Sequence, residues 1–286
     1  MYRRVISAVC AAALLGGCTT SGQVLSTAPA SLQAATKTTG RLDDLPPPAA
    51  PVDVAVYTFP DLTGQAKPNE AFAEYSRAVT QGGASILIDV LKAAGHGSWF
   101  RPVERSGLAN LVQERTLIEN TQRAYGVGTR LPPVRFAGML LEGGIVGYDS
   151  NNVTGGAGAK FFGIGGDVAY RSDIVTVNLR AVSVQTGDVL VSTTTSKQIF
   201  SFQARAGAYR FVEADKLLEL EAGISFNDPG QLAVREGIEL AVYSLIINGL
   251  KAGLWELRDP AQTPTLIKNF EDSYKVPVGA AGAKTS

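Results

Sequence analysis

Residues Gly155–Gly166 read GGAGAKFFGIGG, six glycines, a lysine and two phenylalanines in twelve positions. A phosphate cradle, a linker or a pair of strands can each look like this, and the fold depends on which it is. The phosphate reading fails in detail. Gly158 and Gly163 have P-loop spacing, but Ile164 stands where lysine is required and Gly165 where serine or threonine is. No Gly-x-Gly-x-x-Gly falls between a strand and a helix. A period of two fits the run. Val153, Gly155, Ala157, Ala159 and Phe161 alternate with Thr154, Gly156, Gly158 and Lys160. Phe162, Ile164, Gly166, Val168 and Tyr170 alternate with Gly163, Gly165, Asp167, Ala169 and Arg171. Each half is about as long as a membrane-spanning strand, roughly 9–11 residues. Gly163–Gly166 can hold either the turn or the start of the second strand.

A second segment repeats the pattern. Phe200, Phe202, Ala204, Ala206 and Ala208 alternate with Ser201, Gln203, Arg205, Gly207 and Tyr209. In LLELEAGISFN, Leu217–Asn227, Leu218, Leu220, Ala222, Ile224 and Phe226 alternate with Glu219, Glu221, Gly223, Ser225 and Asn227. RFVEADK, residues 210–216, is the expected joining loop. One apolar and one polar face is the dyad of an outer-membrane strand, although soluble hairpins with one wet face share it. On the membrane reading, Lys160, Asp167, Arg205, Glu219 and Glu221 are candidates for a polar lumen. Four strands cannot close a barrel. An open edge in lipid leaves backbone groups unpaired at several kcal/mol each. Several copies must then share one wall.

The N-terminus places such strands at a membrane. MYRR is a basic start, Val5–Leu15 an apolar run too short to span a bilayer, and Gly16, Gly17 and Cys18 follow. LLGGC resembles the bacterial lipobox, so residues 1–17 read as a signal peptide and Cys18 as a lipidated first residue. Thr19, in place of Asp, directs sorting to the outer membrane. Stable anchoring takes more than one acyl chain, and a bacterial lipoprotein cysteine carries three. Cys10 leaves with the signal, so the mature chain has no thiol for a disulfide, a zinc site or a nucleophile. Without Arg3 and Arg4, 24 basic residues face 26 acidic ones, and no global field points to nucleic acid.

Residues 18–50, rich in Ser, Thr, Ala and Pro and ending in LPPPAAP, read as a tether. The α/β domain begins at residue 51. Val52–Phe59 is an expected strand, residues 60–81 a long polar loop, and Gly82–Ala94 a helix. SWFRPVER is a short strand. Ser106 is a candidate N-cap for a helix carrying Leu108, Leu111, Val112 and Leu117. FAGMLLEGGIVGY is a buried strand leading to hairpin 1, residues 148–172. Residues 173–199 form a hairpin around QTGD, hairpin 2 takes 200–227, and residues 228–270 return to the domain. There Asp228 and Pro229 start a helix over Gln231–Trp255, striped by Ile238, Val242, Leu245, Ile246, Leu250 and Leu254. Residues 271–286 are a tail. The fold class is α+β, an α/β domain with two inserted β-hairpins that complete a multi-chain outer-membrane barrel.

VAVYTFPDLTGQAKP, SWFRPVERSGLANLVQER, GGAGAKFFGIGGD, VNLRAVSVQTGDVL and GLWEL closely resemble the curli secretion channel, the CsgG family, in order from the lipobox to about Leu257. The resemblance implies an outer-membrane lipoprotein ring, typically of nine copies, whose main domains lie in the periplasm. Each copy gives two hairpins to one barrel. Unfolded curli subunits pass through passively, with accessory factors on the periplasmic and cell-surface sides. It also implies that the loop after the first strand narrows the channel with rings of an aromatic, an asparagine and a second aromatic. In KPNEAFAEYSRAV, Tyr75 matches the second aromatic and Glu74 the asparagine, which makes that ring acidic. The first aromatic falls on Phe72 or, alternatively, Asn69.

His96, the only histidine, lies in a Gly-flanked turn, and Asp61 with Thr63 and Gly64 reads as turn chemistry. No catalytic or metal constellation stands out, and apart from the lipid no cofactor is implied. The expected function is passive protein export, not catalysis. The alternative is an outer-membrane lipoprotein that binds or activates a cell-envelope enzyme without a pore.

Overall fold

The computed structural model describes residues 35–63, 80–126, 128, 131–154, 169–204, 208–212 and 229–274. Its strands, rich in β-branched and aromatic residues, are β1 (Val52–Val56), β2 (Phe100–Val103), β3 (Met139–Thr154), β4 (Ala169–Ser183), β5 (Val189–Ala204) and β6 (Ala208–Val212). They make one sheet in the order β2-β1-β3-β4-β5-β6. β1 is parallel to β2 and β3, and every later pair is antiparallel. Parallel neighbours need a crossover. Helix α2 (Gly83–Gly97) joins β1 to β2, and α3 (Leu108–Ala124) joins β2 to β3. The remaining helices are α1 (Lys37–Asp43), α4 (Pro229–Lys251) and α5 (Thr263–Tyr274).

The sheet buries one face. Leu141, Ile145, Val175, Val177, Leu179 and Val191 are buried, while their neighbours Glu142, Thr176, Asn178, Arg180 and Ser192 are half-buried or exposed. This is the two-residue alternation of a sheet covered on one side. Helix α4 supplies the cover. It comes so close that a Cβ on Gly237 would lie 3.0 Å from Val177 Cγ2. Two hydroxyls of β5 are satisfied within this interface: Thr195 donates to the Gly237 carbonyl and Thr193 pairs with Ser244, both at 2.8 Å. Lys197 of β5 forms an ion pair with buried Glu236 of α4.

Trp99, Phe100 and Trp255 close one end of the core, with ring centroids 6.2–6.3 Å apart. The Trp99 indole donates to the Pro46 carbonyl at 3.0 Å, and that of Trp255 to the Ile246 carbonyl at 2.9 Å.

Several elements depart from the sequence-based expectations. The expected tether contains folded chain: Thr36 caps α1 with a reciprocal capping box, and Pro48 bridges to Leu257. Helix α4 ends at Lys251 instead of Trp255, because Gly253 turns left-handed (φ 68°) and the Leu254 amide closes back on Gly249. The regular part of α2 stops at Ala94–His96, where Gly95 and His96 are also left-handed. Gly107 precedes α3, and the Ser106 hydroxyl donates instead to the Tyr57 carbonyl. The expected hairpin around QTGD is present between β4 and β5, closed by Ser183 and Asp188.

Candidate functional site

The site of interest lies where the long strands leave the body. β3 and β4 pair from Met139 opposite Ser183 to Thr154 opposite Ala169, with one register shift between Ile145 and Gly147. β3 continues through this shift to Thr154, so body and the start of hairpin 1 share their strands. β4 and β5 likewise pair as far as Tyr170 opposite Phe202. Val153, Tyr170 and Phe202 therefore occupy one cross-strand row. Beyond it β6 folds back with Ala208 opposite Ala204. Arg210, Phe211 and Val212 thus belong to a strand, which corrects the expected joining loop RFVEADK.

At the exit β3 carries EGGIVGY, Glu142–Tyr148. Val146 is a bulge residue: Ile145 faces Val177 and Gly147 faces Thr176, leaving Val146 without a partner position in the ladder. A bulge bends a strand and strengthens its twist. The segment after β1 runs alongside. Asp61 bridges Ile145 in parallel, the Leu62 amide donates to the Ile145 carbonyl at 2.8 Å, and the Ile145 amide donates to the Pro60 carbonyl at 3.0 Å. A Cβ on Gly144 would stand 2.5 Å from the Pro60 oxygen, so glycine permits this approach. Asp61 Oδ1 then accepts the Thr63 amide at 2.9 Å and its hydroxyl at 2.6 Å, the turn chemistry expected there.

The far end of the same loop returns to the same footing. Gly83 opens α2 against Phe59, and a Cβ there would lie 2.6 Å from the Phe59 carbonyl oxygen. Phe59–Asp61 thus contacts both the exit of β3 and the start of α2. A groove of about 380 Å³ lies beside this footing, lined among others by Tyr57, Pro60, Leu62, Glu142, Val146 and Arg180. Arg180 Nη2 and Glu142 Oε2, both lining it, pair at 3.0 Å.

The loop residues Asn69, Phe72, Glu74 and Tyr75 lie outside the described residues. So do Cys18 and the lumen candidates Lys160, Asp167, Arg205, Glu219 and Glu221. What the structure brings together is the footing from which the loop and hairpin 1 both start. The glycine pair 143–144 inside a strand is its sequence signal, since such glycines mark a bulge or a close backbone approach. Among the described residues no three His, Cys, Asp or Glu side chains could hold a metal ion, and no helix is long and apolar enough to cross a membrane.

Residues 35–270 match the family described as "Curli production assembly/transport component CsgG". The chain belongs to the CsgG family. Its CsgG relatives include that of Citrobacter koseri, 39% identical over 270 residues, covering 92% of this chain and 95% of the relative. The Escherichia coli K12 protein is 40% identical over 261 residues, covering 89% and 92%. The PelC dodecamer of Paraburkholderia phytofirmans covers 69% of this chain and 90% of its own, at 13% identity and a TM-score of 0.29, too low to carry an argument.

Proposed function

We propose that this CsgG-family chain is a lipid-anchored outer-membrane protein whose copies assemble into a passive channel for unfolded curli subunits. Cys18 carries the lipid, and the main domain lies in the periplasm. The observation that carries this reading is the continuity of β3, β4 and β5. They run from the helix-covered body into the segments whose alternation suits a barrel wall. The family's role in curli production, assembly and transport supports the cargo class, and transport in place of catalysis.

Two hairpins per chain cannot close, so several copies, nine by family resemblance, share the wall. Lys160, Asp167, Arg205, Glu219 and Glu221 line its lumen. The loop on the Phe59–Asp61 footing narrows the passage with Tyr75, acidic Glu74 and an aromatic at Phe72, or Asn69 in its place. A ring of aromatics holds an unfolded chain loosely while the narrow gap excludes folded proteins. Periplasmic and cell-surface curli factors are the expected partners at its two mouths.

Electron microscopy and planar-bilayer recording of the detergent-purified chain test this. Rings with conductance are expected, and Tyr75→Ala raises the single-channel conductance. A monodisperse monomer lacking conductance refutes the channel. Normal rings with unchanged conductance in Tyr75→Ala remove Tyr75 from the narrow point.

A further inference from the structure

The two strands covered by α4 are unlike. On β4 the covered positions are Val175, Val177, Leu179 and Ala181, all apolar and buried. Their cross-strand partners on β5 include Lys197, Thr195 and Thr193, opposite Val175, Val177 and Leu179 in turn. Each of these three takes a polar partner on α4. The Thr193 hydroxyl pairs with that of Ser244 at 2.8 Å, and the Asn248 amide adds a donor to Ser244 at 3.2 Å. Thr195 donates to the Gly237 carbonyl at 2.8 Å. Lys197 pairs with the Glu236 carboxylate. Thr193, Thr195, Glu236 and Ser244 are all buried.

Stability alone does not require this arrangement. Replacing both partners of a buried polar pair by apolar groups of the same shape is often neutral or stabilising. The best-attested use of such pairs is to select one register among similar ones. Similar registers exist on α4, where Ala233, Val234, Ile238, Ala241, Val242, Leu245 and Ile246 are sealed from solvent. A slide of one turn, about 5.4 Å, exchanges apolar groups for apolar groups. In one direction it sets Thr193 against Leu240 or Ala241 and Lys197 against Leu232 or Ala233, none of which offers a side-chain partner. In the other direction the carboxylate brought toward Lys197 is Glu239, already held by Arg235 Nε at 3.0 Å and the Thr39 hydroxyl at 2.9 Å. Either slide leaves Glu236 buried without its lysine.

We propose that Thr193, Thr195 and Lys197 form a register key that admits one axial setting of α4 on the sheet. They are positioning residues, since they act through α4. The setting matters at the membrane end of the body. β5 runs on to Ala204, and α4 takes the chain up again at Pro229. A one-turn slide moves that point by between one and two strand residues, and a slip of one residue turns every side chain of a strand to its other face. This link to the channel rests on the reading of residues 200–227 as a barrel hairpin.

Cross-linking in the full-length chain tests the key. Thr193→Cys with Ser244→Cys reports the native setting, because the two hydroxyls already touch. Thr193→Cys with Ala241→Cys reports a slide of one turn. Disulfides formed under mild oxidation are counted as linked peptides by mass spectrometry. With Thr195, Lys197 and Glu236 in place, the 193–241 link is expected at about a tenth of the 193–244 link or less. Adding Thr195→Val, Lys197→Met and Glu236→Leu is expected to raise the 193–241 link about tenfold while the denaturant midpoint holds or rises. A merely structural weakening lowers the midpoint and does not move the link. If the triple variant does not fold, Lys197→Glu is expected to raise the 193–241 link, and Lys197→Glu with Glu236→Lys to lower it again. An unmoved link in the folded variants overturns the key. In planar bilayers the triple variant without cysteines is expected to give several conductance levels where the wild type gives one. A single wild-type level beside a moved link overturns the tie to hairpin 2. A wild-type chain without conductance refutes the channel reading, and the cross-link still decides the key.

Discussion

Helices α3 and α4 look alike in sequence and differ in place. Both carry leucine, isoleucine and valine at helical spacing over at least four turns. Yet α3 buries none of its residues, with Val112 and Leu117 more than half exposed. In α4, by contrast, Ala233, Val234, Ile238, Ala241, Val242, Leu245, Ile246 and Ile247 are sealed from solvent. The difference is the number of partners. α4 has the sheet on one side and α1 and α2 on the other, so it is apolar almost all round. α3 rests on hydrogen bonds to the returning chain, such as Arg115 to the Pro132 carbonyl. Periodicity reports which side chains share a face. It does not report whether anything faces them.

The largest expected effect breaks α4 at its centre. Leu245→Ala removes a fully buried side chain, so unfolding by denaturant should show a loss of about 2–5 kcal/mol. A loss under about 1 kcal/mol would place Leu245 outside the shared core.

Next comes Gly249→Ala. The Trp255 indole packs against this glycine, and an added Cβ would lie 2.0 Å from its Cζ2. Overpacking of this kind costs about 1–3 kcal/mol, and because Trp255 must move, its fluorescence should shift with the stability. Stability and emission both at wild-type values would deny the close approach.

The same substitution logic should barely touch α3. Val112→Ser with Leu117→Ser exposes nothing new, so the expected change in denaturant midpoint corresponds to within about 0.5 kcal/mol. A loss comparable to that of Leu245→Ala would mean that α3 is covered in solution, and the contrast with α4 would collapse.

These contrasts show what could be read from residues alone. The strands, the QTGD hairpin and the α4 stripe follow from local pattern, because period two and period 3.6 are written into neighbouring residues. Ser244 looks like an interruption of that stripe, yet it is buried against Thr193, fifty-one positions away. Such pairing has no local signature. The same holds for residues 36–49: proline and threonine in LPPPAAP and its approach read as tether, and only Glu239 and Trp99 show what they dock on. The footing of the candidate site is intermediate. Glycines 143–144 announce a close approach, but the partner, Pro60, is named only by the fold.

The smallest effect concerns α4's outer flank, where Tyr243 meets Phe270 of α5 at 5.4 Å between rings. Burial pushes the Tyr243 phenol above its ordinary value, Tyr274 nearby pushes the same way, and Arg41 opposes them. A raised folded value means the native state holds this proton more tightly than the unfolded chain does. The contribution is therefore complete below the ordinary tyrosine range, about pH 10, and is lost as pH climbs through it toward the folded value. Tyr243→Phe removes that dependence. The difference in denaturant midpoint between wild type and Tyr243→Phe should stay constant up to about pH 9 and then shift in favour of the variant. Parallel curves through pH 11 would show that the Tyr243 hydroxyl is as well solvated in the fold as in the open chain. The flank of α4 under α5 would then resemble exposed α3 more than the sealed helix beside it.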